Sequence, residues 1–498
     1  MTGPLRAKDG DLQMVAVPQQ TGEQGWSSRT AFILAAVGAA VGLGNIWRFP
    51  TLAGENGGGA FVIVYLGCVL LIGLPLMLSE FVVGRAGKSD AVGSVINVAE
   101  QSGISRKWSL FGGLEILAGF LILSFYSVVA GWVLYYVWVS GGDFLANLLD
   151  GNAFGSAFPG MAQADVSGMM GGLFASPGLL IFVHALFMLA TIAIVANGVH
   201  NGIEKAATWL MPAFFILLVG ITIYGAFTGD FAEALAFLFT PDFSKLSFPV
   251  VNEALGQAFF SLSLSAGGLI TYGAYVGRDV NLAPTAATIS LTDTGVALLA
   301  GLMIFPIVFA VGLDPSAGPA LIFQSLPVAF QTMPAGSLIG FLFFILIFFA
   351  ALTSSISLLE GPTAWAMDRF GLTRPKAAIT IGFIAFLIGV ICALGYNVLS
   401  DVRPLGFWSI FEDTDILDTL DGVTGKIMLP LAGLLLAIFV GWKADRNLVM
   451  RETGLSSGMF ALWRFLVAWV APIAVFLILL FGLFPGLLES AAQGSSAV

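Results

Sequence analysis

Apolar segments long enough to cross a lipid bilayer recur from one end of the chain to the other, and they set its solvent. A membrane helix needs about 20 predominantly apolar residues. Eleven segments qualify, near residues 28–52, 58–84, 108–140, 177–197, 203–226, 248–276, 286–313, 336–371, 376–396, 425–442 and 459–485. The tenth is short, and a start nearer Asp415 is expected for it. No twelfth span is expected after Leu487. Only 10% of residues are charged, against about 25% in soluble domains. That is too little polar material to coat a water-soluble fold, so an all-α polytopic membrane protein is expected.

The loops test this count independently, because Lys and Arg concentrate on the cytoplasmic side of inner membranes. With the N-terminus inside, sixteen cations fall in inner segments. Only Lys245, Arg403 and Lys426 fall outside, and Arg48 lies within a span. Residues 1–27 then form a cytoplasmic tail without a signal-peptide core. The C-terminal tail, 486–498, lies outside. Cys68 and Cys392 sit in apolar runs and read as core residues. His184 and His200 stand alone, so no structural metal site is expected. No basic stripe for nucleic acid is visible.

Two spans are interrupted by residues that apolar packing does not call for. The first reads Gly38-Ala-Ala-Val-Gly-Leu-Gly-Asn45-Ile-Trp-Arg48-Phe-Pro50 and the sixth Gly256-Gln-Ala-Phe-Phe-Ser261-Leu-Ser-Leu-Ser265-Ala-Gly-Gly268. Small-residue helix packing explains the glycines, but not Asn45 or Arg48 within a membrane. The breaks open two five-span halves, 28–226 and 248–442, with 459–485 as an eleventh span. Interrupted helices at matching positions of two halves point to a midplane binding site, where free carbonyls meet cations and half-helix N-termini meet anions.

These residues resemble the neurotransmitter:sodium symporter family and its leucine-transporter fold, with a 5+5 inverted repeat and broken helices 1 and 6. The motifs run in order: Gly42-Leu-Gly-Asn-Ile-Trp-Arg-Phe-Pro50, Glu55-Asn-Gly-Gly-Gly-Ala-Phe61, Pro75-Leu-Met-Leu-Ser-Glu80 with Gly84-Arg85, Phe259-Phe-Ser-Leu-Ser263, and Leu352-Thr-Ser-Ser355. The resemblance implies two sodium sites. The first uses Ala40, Asn45, Ser261 and Asp293; the second uses Gly38, Val41, Ala350, Thr353 and Ser354. All offer the oxygen donors a hard cation takes. Standing alone, Thr353 and Ser354 read as hydroxyls bonded to their own helix. Chloride-dependent relatives place asparagine at position 293. Tyr65, Gln257 and Ser261 match their chloride site, but Ala297 replaces a serine. A carboxylate at Asp293 supplies the charge chloride would bring, so no chloride requirement is expected.

The resemblance also implies a substrate pocket. The amides at Leu43 and Gly44, the Tyr126 hydroxyl and the first sodium would meet an amino-acid carboxylate, Ile122, Tyr126, Phe260, Ser263, Ala266 and Leu358 would form its side-chain pocket, and Ala40, Ser261 and Ser354 are further substrate-binding positions. Amine carriers have an acid at position 42. Glycine there favours a ligand that brings its own carboxylate, and alanine at 266 favours a large apolar or aromatic side chain. Arg48 with Asp421 (Asp418 as second choice) matches an outer gate. Trp26, Tyr275 and Asp368 match an inner one, although Glu23 stands where the family has arginine; Arg29 or Arg278 are candidate substitutes. Glu80 is expected to bond backbone near the first break. The expected activity is sodium-coupled amino-acid uptake across the inner (plasma) membrane, with monomer or homodimer open. A proton-coupled carrier of the same fold, using Asp293 or Glu80, is the alternative. An enzyme would need a cluster of metal ligands or a nucleophile with its base, and none is present. A receptor or channel would lack the paired breaks.

Overall fold

A computed structural model describes residues 25–316, 318 and 320–484. Among these, every regular element is a helix. Glu23 and the tail 486–498 lie outside them.

Among the described residues, nine continuous helices are long and apolar enough to cross a membrane: Gly59–Gly87, Arg106–Leu149, Pro177–Ala196, Val199–Thr228, Leu282–Ala310, Gly336–Phe370, Arg374–Leu394, Ile416–Lys443 and Ser457–Leu483. Arg29–Ala40 and Gly44–Glu55 add a span bent by 50° at a short break. Phe248–Ser261 with Gly268–Ala274 supplies the other interrupted segment. In chain order these are spans 1 to 11, with the breaks in spans 1 and 6. The tenth begins at Ile416, as the earlier start near Asp415 requires; Asp415 caps it by accepting from the Asp418 amide at 2.8 Å.

The helices follow from their solvent. Hydrocarbon offers no partner to a backbone N–H or C=O, so each span closes its own hydrogen bonds. Ends are handled by the usual devices: the Ser28 hydroxyl accepts from Ala31 N at 3.1 Å, and proline opens the fourth span at Pro177. The most apolar stretch of the third span is 83% buried, against 28% for the fifth and 33% for the eleventh. The third span is therefore central, packed along the eighth. The fifth and eleventh turn leucine, phenylalanine and tryptophan outward, where lipid is the matching solvent.

Both breaks are stitched rather than left open. An unpaired backbone group in this setting costs several kcal/mol. At the first break, Val41 turns extended, and Asn45 Oδ1 accepts from Gly42 N at 3.0 Å. Gln257 Nε2 donates to Gly44 O at 2.7 Å and Ser263 Oγ to Ala39 O at 2.8 Å, so each break caps the other. The sixth-span break passes through left-handed backbone at Ser263, Ser265 and Gly267, with φ of 51°, 61° and 75°. Side chains rarely adopt that conformation without surrounding support. Glu80 provides some of it, accepting from Ser265 N at 2.8 Å. This corrects the sequence reading, which placed Glu80 against the first break. Its position in the second span demanded a donor, but the nearest free amide belongs to the sixth.

Candidate functional site

Where the two breaks cross, a cavity of about 30 Å³ is enclosed by residues of spans 1, 3, 6, 8 and 10. Ala40, Leu43, Gly44, Ile122, Tyr126, Phe260, Ser263, Ala266, Ser354 and Leu358 all line it. Ser261 does not; it turns to the adjoining polar cluster. Leu264 and Leu429 complete the wall. Both are ordinary leucines in apolar runs, with nothing in the sequence to single them out.

One end of the cavity is polar. Leu43 N donates to the Tyr126 hydroxyl at 3.3 Å, and the N-terminus of the second half of span 1 faces the same region. Gly42 is flush with the wall. A Cβ there would stand 2.4 Å from Ser354 Oγ and 3.0 Å from the Tyr126 oxygen. A Cβ on Gly44 would meet the Phe260 ring at 2.9 Å. The two glycines keep backbone amides within reach of whatever occupies the cavity. The other end is apolar, and no charged side chain enters it.

Beside the polar end lies a buried cluster. Asn45 Nδ2 donates to Ser261 Oγ at 3.0 Å and to Asp293 Oδ1 at 2.7 Å, and the Ser261 hydroxyl donates to Asp293 Oδ2 at 2.7 Å. Tyr65 reaches Ser261 at 3.3 Å. All four are fully buried. Asn45 here turns its nitrogen to Asp293 and its oxygen to Gly42 N, and that oxygen keeps a second lone pair for a cation. Gln257 is committed to Gly44 O, and Ala297 presents only a methyl group.

A second group of oxygens sits between spans 1 and 8. Ser354 Oγ donates to Gly38 O at 3.3 Å and Val41 O at 3.1 Å, crossing to the broken helix. Thr353 Oγ1 instead bonds its own helix, at Phe349 O (3.0 Å) and Ala350 O (3.1 Å). The local alternative therefore describes Thr353 but not Ser354. The two backbones approach closely here, since a Cβ on Gly38 would lie 3.1 Å from Thr353 Cβ.

The cavity is flanked by two vestibules. On one side a space of about 440 Å³ is bounded by Arg48, Phe260, Tyr126 and Asp421. Arg48 Nη1 lies 3.7 Å from Asp421 Oδ1, with its guanidinium 4.8 Å from the Phe260 ring centre. On the opposite side Trp26 Nε1 donates to Tyr272 O at 3.2 Å and the Trp26 amide to Tyr275 O at 3.4 Å. Tyr275 passes the contact on to Glu360 at 2.7 Å, which pairs with Arg374 at 2.6 Å. Ser27 bonds Glu204 through its amide at 3.1 Å and also through its hydroxyl. Asp368 accepts from Ser89 Oγ at 2.8 Å, beside Asp90. Burial, and then the Asp368 charge, push the Asp90 carboxyl up to about 6. Arg29 and Arg278 form no ion pair among the described residues. Sequence reasoning missed Ser89, Asp90, Glu204, Glu360 and Arg374, which meet this face from distant loops and helix ends.

This is the architecture of a membrane carrier: a small central chamber between two vestibules, walled by broken helices. A sequence profile of the sodium:neurotransmitter symporter family matches residues 23–148 and 165–485, and the chain belongs to that family of sodium-dependent transporters. An uncharacterised sodium-dependent transporter of Bacillus subtilis is 34% identical over 91% of this chain and 96% of its own. One from Methanocaldococcus jannaschii is 32% identical over 90% and 88%. The crystal structure of MhsT in complex with L-phenylalanine superposes with a TM-score of 0.82 at 44% identity, covering 92% of this chain and 99% of that one. The relatives are transporters, not enzymes.

Proposed function

We propose that this protein is a sodium-coupled symporter that takes up large apolar or aromatic L-amino acids by alternating access. The observation that carries the reading is the central chamber: a backbone-lined polar end at Leu43, Gly44 and Tyr126, next to the Asn45–Ser261–Asp293 oxygens, with an apolar far end. A substrate carboxylate meets the amides and a first sodium there. That ion takes oxygens from Ala40, Asn45, Ser261, Asp293 and the carboxylate itself. A second sodium takes Gly38, Val41, Ala350, Thr353 and Ser354. Asp293 supplies a fixed negative charge, so transport is independent of chloride. Phenylalanine bound to MhsT supports the substrate class.

A large side chain exceeds the chamber of about 30 Å³, so binding requires the wall to give. The strained points in that wall are the left-handed backbone at Ser263, Ser265 and Gly267. Sodium and substrate then shift the balance between states only by binding one state better than the other. The inferred topology places the Trp26 face in the cytoplasm and the Asp421 face outside the inner (plasma) membrane. Equilibrium binding of labelled phenylalanine, leucine, methionine and tryptophan to purified protein tests the reading. Saturable binding in sodium, absent in potassium and unchanged when gluconate replaces chloride, is expected. Binding indifferent to sodium overturns the coupling, and binding that needs chloride overturns the role of Asp293.

A further inference from the structure

The second and third spans carry two acidic side chains that neither proposed sodium site uses. Glu80 and Glu115 are both fully buried, and each stands against the sixth-span break. Glu80 Oε1 accepts from Ser265 N at 2.8 Å. Glu80 Oε2, both oxygens of Glu115 and the Ser265 hydroxyl have no hydrogen-bond partner among the described residues. These groups gather on one flank of the sixth-span break. The backbone carbon of Glu115 lies 3.5 Å from where a Gly267 Cβ would be, and Ser265 Oγ lies 3.1 Å from the corresponding point on Gly433.

Two carboxylates at such a place carry a large cost. Each buried ion loses several kcal/mol of hydration, and opposite charges must repay it. No ion pair among the described residues includes either glutamate. The charged groups of the surrounding elements are engaged elsewhere. Arg85, on the same helix as Glu80, pairs with Glu452 at 2.8 Å. Lys88 donates to Val276 O at 2.6 Å. Asp293 is held by Asn45 and Ser261, Glu360 by Arg374 and Glu100 by Arg106; Arg464 donates through Nε to Gly441 O at 3.2 Å, with Nη1 unpartnered among the described residues. No charged donor pairs with these oxygens among the described residues, and protonating a carboxyl supplies an O–H in place.

We propose that Glu80 and Glu115 form a proton-binding site that holds at least one proton beside the sixth-span break. A single proton removes one of two like charges and gives the unpartnered oxygens an O–H donor. It needs no cavity, unlike a metal ion with several ligands. The site does not rest on the sodium reading, and it is separate from Asp293. Because Ser265 holds Glu80, movement of the break changes the donors around the proton, so proton occupancy and break movement are linked.

Infrared spectroscopy of the full-length protein in lipid nanodiscs tests this without any transport. A protonated carboxylic acid has a C=O stretch separate from the carboxylate bands. The expected spectrum near neutral pH contains that band. It is lost in Glu115→Gln and in Glu80→Gln, and retained in Asp293→Asn. Glu115→Asp, which keeps the acid should the glutamine variant fail to fold, should shift the band rather than remove it. A wild-type spectrum without the band overturns the proposal on its own. So does a band that survives both glutamine substitutions, or one that disappears when sodium or potassium is added to ion-free protein, which would assign the pair to a metal cation.

Discussion

Replacing Asp293 with asparagine removes one charge and one of the two oxygens that accept from Asn45 and Ser261. The side chains have the same shape, and the asparagine keeps an oxygen for a cation and for Ser261. The change therefore tests the fixed negative charge. A sodium ion seated among Asn45, Ser261 and residue 293 lies about 4 Å or less from the charge. At an effective dielectric of about 20 that attraction is worth about 4 kcal/mol. Each 1.4 kcal/mol is a factor of ten in affinity, so sodium should bind roughly 100- to 1000-fold more weakly, the lower figure allowing for relaxation around the vacated charge. The assay is the sodium dependence of substrate binding in gluconate and in chloride. Chloride should restore affinity only in part, because Gln257 is committed to Gly44 O at 2.7 Å and Ala297 has no hydroxyl. Sodium affinity within about threefold of wild type in gluconate would refute the electrostatic argument.

Three further outcomes follow from the geometry. Gly42→Ala places a methyl group 2.4 Å from Ser354 Oγ, so substrate binding should be lost while expression and thermal melting stay near wild type; retained binding in a dialysis assay counts against the chamber. Arg48→Ala removes a half-exposed pair at 3.7 Å, worth less than about 1 kcal/mol, so substrate affinity should change by less than about fivefold while uptake rate falls; the affinity and rate are read separately. Asp90, raised to about 6 chiefly by burial and then by Asp368, holds its proton more tightly in this arrangement than when exposed. The arrangement therefore gains stability as pH falls through about 6 and loses it as pH rises. Labelling of a Met367→Cys reporter in this vestibule should carry a pH dependence that Asp90→Asn abolishes.

The apolar periodicity made most of the spans legible, because hydrocarbon leaves a helix few alternatives. The tenth was truncated in the sequence because Asp418 and Asp421 lie in its first turns and mask its hydropathy. The chamber residues were legible through the motifs at the two breaks, which bring residues such as Gly44 and Gln257 together across 213 positions. What each polar group bonds was much less legible. Glu80 announced a need for a donor but not that Ser265 would meet it. Asn45 announced a polar site but not which end of its amide would face Asp293. The inner vestibule was hardest, since Asp368 near the end of the eighth span meets Ser89, in a short connection, across 279 positions.

The central claim is coupling of amino-acid movement to sodium, and uptake into liposomes tests it most directly. Purified protein is reconstituted and given labelled phenylalanine, leucine, methionine and tryptophan, with an inward sodium gradient or with potassium in its place. Concentrative uptake of at least one of them with sodium alone is the predicted result. Uptake indifferent to sodium but driven by a pH gradient would contradict it, and would leave the fold with a proton as its coupling ion.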